Sequence, residues 1–97
     1  MRDRLNLALK DAVKARDQIR VSTMRLILAA IKDRDIAARS GDRRDGVSDD
    51  EILEILAKMI KQRRESISQY EKAGREDLVN AEAAEIEVIQ TWLPQPR

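Results

Sequence analysis

Neither histidine nor cysteine occurs anywhere in the sequence. Their absence removes histidine-containing catalytic triads, thiol nucleophiles, disulfides, redox dithiols and zinc sites built on imidazole or thiolate. Phenylalanine is missing too, and Tyr70 and Trp92 are the only aromatic residues. A core must then come from Leu, Ile, Val, Ala and Met, which suits helix packed on helix and leaves few platforms for stacking unpaired bases. The three glycines form neither a GxGxxG run nor a P-loop, so no phosphate cradle is encoded. Long apolar runs are also lacking: the longest, Leu26 to Ile31, falls far short of the roughly 20 residues of a membrane span. The opening residues MRDRLNLALKD turn amphipathic at once and contain no secretory signal core. A cytoplasmic location, with no membrane partner, is the default expectation.

What is present is charge and helical periodicity. Hydrophobic residues make up 42% and charged residues 38% of 97 residues, the composition of amphipathic elements in one modest domain. The net charge of +1 hides an uneven distribution. Residues 1–47 carry 12 Lys or Arg against 7 Asp or Glu, whereas residues 48–97 carry 7 against 11. Such asymmetry serves either an anionic partner at the basic end or attraction between the two halves of the fold.

The spacing predicts an all-α fold of four helices, over about 3–15, 17–38, 48–73 and 76–93, arranged as two hairpins in a bundle-like domain. In the first, Leu5, Leu9, Ala12 and Val13 recur every three or four residues and read as one buried stripe, with Asp3 as N-cap. Asp17 caps the second, whose middle turns are apolar on nearly every side and which is therefore expected to be central. RSGDRRDGV, from Arg39 to Val47, reads as a flexible connector. Ser48 and Glu51 have capping-box spacing at the start of the third helix. Gly74 supplies the stop before the fourth, which runs until Pro94 ends regular structure. The short junction at Gly74 makes the last two helices antiparallel.

Chemistry is mostly missing. Without histidine, Ser22 and Thr23 lack a base to activate them and read as surface or packing residues. Carboxylates such as Glu82 and Glu85 recur on one helix, but three-apart acids usually meet water and basic neighbours, and neither a catalytic residue nor a metal site nor a cofactor is expected. Basic residues are more informative. Lys58, Lys61 and Arg64 form one candidate phosphate-contacting set; Arg16, Arg20 and Arg25, near the first junction, form a second. A solvated face paired with Glu54 and Glu65 is the competing reading. Arg63 sits in an otherwise apolar row, where its stem can cover the core while its guanidinium reaches Glu85. Trp92 and Leu93 leave apolar area at the chain's end, so packing competes with a partner-docking role.

KARDQIRVSTMRLILAAIKDRDI at Lys14 to Ile36, KMIKQRRESISQYEKAGREDL at Lys58 to Leu78, and AEIEVIQTWLP at Ala84 to Pro94 together resemble the GatB/YqeY family. These proteins are similar to the tail region of the B subunit of tRNA-dependent amidotransferases. The resemblance implies a helical N-terminal domain, normally followed by a smaller helical domain beyond the segment matching Trp92-Leu93-Pro94. That second domain is expected to be absent here. Trp92 stands where the family suggests a tyrosine or another aromatic residue. The resemblance further implies an accessory module that binds tRNA, associated with carbon–nitrogen ligation using glutamine as amide donor, but it brings no catalytic residue onto this chain. A non-catalytic adaptor that binds a protein partner is the alternative.

Overall fold

The computed structural model describes residues 1–39 and 47–94. Four helices follow one another: α1 (Arg2–Ala15), α2 (Gln18–Arg39), α3 (Asp49–Lys72) and α4 (Glu76–Gln90). The all-α expectation holds, and the described residues contain no strand. Most of the connector, with Gly41 and Gly46, lies outside the described residues.

Helix starts follow local chemistry. Ser48 Oγ accepts from the Glu51 backbone N–H at 3.3 Å and lies 3.3 Å from Glu51 Oε1, satisfying an otherwise orphaned donor of the first turn. Asp17 does the same for α2, its carboxylate accepting from the Arg20 N–H at 3.2 Å. Asp3 is not the cap of α1: the helix begins a residue earlier than expected, with Met1 at the cap position. Asp3 instead lies within the first turn, where its charge meets the positive end of the helix dipole.

Both hairpins turn by one hydrogen-bond pattern. After α1, the Asp17 N–H donates to the Ala12 carbonyl and the Arg16 N–H to that of Val13, both at 3.1 Å. After α3, the Arg75 N–H donates to Tyr70 at 2.9 Å and the Gly74 N–H to Glu71 at 3.1 Å. These paired closures, spanning five residues and three, require a left-handed residue at the turn. Gly74 adopts φ 69° without a Cβ to clash; Arg16 adopts φ 57° with one. The sequence signals the first and hides the second.

The core is a single cluster. Leu5 of α1, Met24, Ile27 and Ile31 of α2, Ile52, Leu56 and Ile60 of α3, and Ile86 and Ile89 of α4 are all buried in it. α2 packs against each of the other helices, as a central helix should, whereas α1 packs against α2 alone. Two expectations need correcting. Val13 is 50% exposed, because α1 has one helical neighbour and that contact is narrow enough to be filled by Leu5 and Ala12. Leu26, in the apolar middle turns expected to make α2 central, is 44% exposed, because the other three helices cover one side of α2 and leave its outer side bare.

The end of α4 also departs from expectation. Regular helix stops at Gln90, not Leu93, and the chain tightens through bonds from the Trp92 N–H to Ile89 and the Leu93 N–H to Gln90, both at 3.1 Å. Pro94 accounts for this, since its ring disfavours the helical conformation at the preceding residue.

The two turns predict opposite mutational signs. Gly74→Ala meets no atom within 4 Å of the new Cβ, so it costs only left-handed strain, about 1–2 kcal/mol. Arg16→Gly relieves that strain and stabilises by about 0.5–1 kcal/mol after the entropy of a freer unfolded chain is subtracted. Urea melts of the two variants check both signs.

Candidate nucleic-acid interface

Because the capping box fixes where α3 starts and its apolar row fixes which side is buried, the outward side is set as well. Lys58, Lys61 and Arg64 lie there, all exposed. At 3.6 residues per turn, successive steps of three wind them diagonally over about 120° of the helix surface. Among the described residues, none of the three is held in an ion pair or side-chain hydrogen bond. Lys58 also edges a groove of about 500 Å³ between α2 and α3, beside Arg34, Glu54 and the floor residues Ala30 and Met59.

Other cations are committed to the fold. The Arg2 guanidinium pairs with Asp35, whose carboxylate also accepts from the Val47 N–H at 2.8 Å. One carboxylate thus ties the start of α1 and the approach to α3 onto the end of α2. Arg34 lies 3.8 Å from Glu51 and 3.9 Å from Glu54. Arg75 and Asp77 form a two-bonded exposed pair at 3.3 and 3.2 Å, and the Arg75 hydrogen bond holds the Asp77 carboxyl below its usual range.

Arg63 behaves as its place in the apolar row suggests. Its Nε lies 3.5 Å from Glu85 and 4.0 Å from Glu82 on the returning helix, and its Nη1 donates to the Met59 carbonyl at 3.2 Å. Nε makes no hydrogen bond, so the contact with the two acids is one of charge proximity. Loss of water on burial, and then repulsion from Glu85, push the Glu82 carboxyl above its ordinary 4.5 despite the guanidinium.

The second basic set does not form one patch. Arg16 and Arg25 share a cleft of about 440 Å³ with Val13, Val21 and Ser22 at the α1–α2 junction. Arg20 lines a different groove, of about 550 Å³, between α2 and α4, among Ile19, Met24, Val88 and Trp92. Helical geometry separates them, since five residues from Arg20 to Arg25 turn the helix by about 140°. Trp92 and Leu93 are half-buried against the edge of the core. The Arg4 guanidinium stands 5.8 Å from the Trp92 ring centroid, within cation–π range. The sequence gives no sign of this pairing, which joins opposite ends of the chain. Ser22 Oγ is occupied with the Ile19 carbonyl at 3.1 Å, and Thr23 is fully buried with its hydroxyl lacking a hydrogen bond. Among the described residues no three acidic groups converge to hold a metal ion, and no helix is long and apolar enough to cross a membrane.

The sequence profile of the Yqey-like protein family matches residues 2–96. The chain belongs to the YqeY-like family. It is 39% identical over 84 residues to altered inheritance of mitochondria protein 41, mitochondrial, of Kluyveromyces lactis, covering 87% of this chain and 43% of that protein. The protein of that name in Eremothecium gossypii is 41% identical over 86 residues, covering 88% of this chain and 44% of that one. For its Saccharomyces cerevisiae (strain YJM789) counterpart the figures are 34% over 89 residues, 90% and 45%. This YqeY-like chain therefore spans less than half the length of the curated relatives it matches. Their names also correct the cytoplasmic expectation, because the relatives are mitochondrial proteins. That expectation rested on the lack of a secretory signal core in the opening residues, which carries no information on mitochondrial delivery.

The Arg63 cluster yields a pH prediction. Because the folded-state pKa of Glu82 is raised, its contribution to stability is fully present below about 4.5 and is lost as pH rises through the folded value. Glu82→Gln is expected to be more stable than the parent at pH 7, with the difference closing by pH 4. Arg63→Met, which keeps the apolar stem but leaves two acids facing each other, destabilises by roughly 1–3 kcal/mol at pH 7. Denaturant melts at the two pH values measure both.

Proposed function

We propose that this YqeY-like chain is an accessory module that binds tRNA in connection with tRNA-dependent amidotransfer, and that it carries out no bond-making step itself. The observation that supports this reading is the division among its cations. Arg2, Arg34, Arg63 and Arg75 are spent on ion pairs within the fold, whereas Lys58, Lys61 and Arg64 stand exposed and unpaired along the outward face of α3. Unpaired cations at helical spacing suit successive phosphates of a nucleic-acid backbone, to which they contribute position rather than sequence choice. Arg16 and Arg25 add a separate contact point, and Arg20 a third.

The scarcity of aromatic side chains argues for contact with a folded, double-stranded part of the RNA over single-stranded loops, whose recognition relies on stacking. Activation of a carboxyl group and release of ammonia would belong to other proteins, since this chain lacks histidine and cysteine, Ser22 is bonded to the Ile19 carbonyl and Thr23 is buried. A second reading, a protein-interaction adaptor, draws support from the groove walled by Trp92, which is only partly covered.

Titration against tRNA at 50 and 200 mM salt tests the first reading. Neutralising Lys58, Lys61 and Arg64 together to Gln is expected to weaken binding at the lower salt by about tenfold or more and to flatten the salt dependence by up to three phosphate contacts' worth. Absence of binding by the parent sinks the tRNA reading, and full binding by the triple variant sinks the contact set.

A further inference from the structure

The first hairpin holds a surface that neither the core nor the cationic face of α3 uses. The five large apolar side chains that stand exposed among the described residues, Leu7, Val13, Ile19, Leu26 and Ile36, all belong to α1 and α2. Three of them fall in register on the outer side of α2. Ile19, Ser22, Leu26, Ala29, Asp33 and Ile36 are spaced by three and four residues in strict alternation, and every one is exposed. That alternation is the seam of a helix that packs against another helix, on the side of α2 away from its Met24–Ile27–Ile31 core face. The seam is notched: Ser22 and Ala29 are small between larger neighbours and leave holes of the size that a partner's side chains enter.

Its borders are not alike. On one flank, at the positions just before Leu26 and Asp33, stand Arg25 and Lys32, both exposed and neither paired. Arg16 continues that flank beyond the helix start, sharing the cleft with Arg25. We propose that the outer face of α2 is a docking seam for an acidic amphipathic helix of another protein, with apolar residues set into the holes at Ser22 and Ala29 and carboxylates along the Arg25–Lys32 flank. Charge decides between this occupant and a second copy of the chain. Antiparallel pairing of α2 with itself brings the Arg25–Lys32 flank against the same flank, which repels; parallel pairing sets it against the flank of the buried Thr23 and the partly buried Ala30, which return no charge. A lipid surface fits less well, since Asp33 sits within the seam and a notched row presents little continuous apolar area to acyl chains. This proposal concerns a surface other than the α3 face and stands whether or not RNA binds that face; it shares Arg16 and Arg25 with the separate RNA contact point, so an acidic helix and RNA exclude each other there.

The test uses the full chain and two synthetic helical peptides that share Leu at the seam positions and differ in carrying Glu or Lys along both flanks. The Glu peptide is expected to bind at least about tenfold tighter than the Lys peptide and to shift amide resonances of residues 18–37. Leu26→Asp and Ala29→Arg are each expected to lose about tenfold in affinity. The second variant separates packing from charge, because it adds an attractive cation while filling a hole. Both sites are on the surface, and circular dichroism verifies that the variants fold; Ser22→Arg, which fills the neighbouring hole, replaces either one that does not. Equal affinity for the two peptides, no binding, resonance shifts confined to α3 or to the Trp92 groove, or tighter binding by Ala29→Arg overturns the proposal. So does a dimer of the parent chain that Leu26→Asp dissolves, which assigns the seam to a second copy, or sedimentation with phosphatidylserine vesicles that Leu26→Asp abolishes, which assigns it to lipid.

Discussion

Burial of one side of α2 is the contact on which the rest of the structure depends. Met24, Ile27 and Ile31 meet residues of α3 and α4 on that side, and Leu5 of α1 joins the same cluster. With so few aromatic side chains, the apolar area per residue is small, and no pair of these helices encloses a core alone. α3 and α4 form the more extensive hairpin, but their apolar rows need α2 as a lid. Once α2 is docked, the outward side of α3 and the outer side of α2 are both determined, and the two candidate binding faces follow from one packing decision.

The charged residues divide by the same geometry. Those near helix ends or against a neighbouring helix are drawn into the fold, as Arg2 is by Asp35, Arg34 by Glu51 and Glu54, and Arg63 by Glu82 and Glu85. Those that point away, Lys58, Lys61 and Arg64 among them, form no ion pair among the described residues and remain available. Attraction between the basic first half and the acidic second half is thus real but partial: it uses the Met1 amino group and Arg34, whereas Arg2 pairs with Asp35 inside the first half, and Lys58, Lys61 and Arg64 of the second half stay untouched.

Helix number, central placement of α2, the Ser48 and Asp17 caps and the Arg63–Glu85 pair were all legible from residue type and spacing, because each is a local rule or a direct result of periodicity. The Val13 and Leu26 assignments failed for a common reason. Periodicity reveals how much of a helix is apolar but not how many neighbours arrive to cover it, and α1 has one while the outer side of α2 has none. Arg16 hid its left-handed turn because nothing in its side chain marks it, whereas Gly74 announced the same geometry. The grouping of Arg16, Arg20 and Arg25 failed because closeness along the chain is not closeness around a helix. The pairing of Arg4 with Trp92 depends on where α1 and the end of α4 meet, a tertiary fact with no local sign.

The left-handed Arg16 has a consequence for the order in which the molecule comes apart. It joins α1 to the remainder through a strained residue, and α1 has helical contact with α2 alone, so the hairpin's first arm is the element least secured by packing. Amide hydrogens of α1 are then expected to exchange through an opening that leaves α2, α3 and α4 assembled and uncovers the side of α2 that α1 packs against. The YqeY-like domain is in this sense a three-helix kernel with a detachable fourth member, and whatever docks beside Arg25 would sense whether that member is in place.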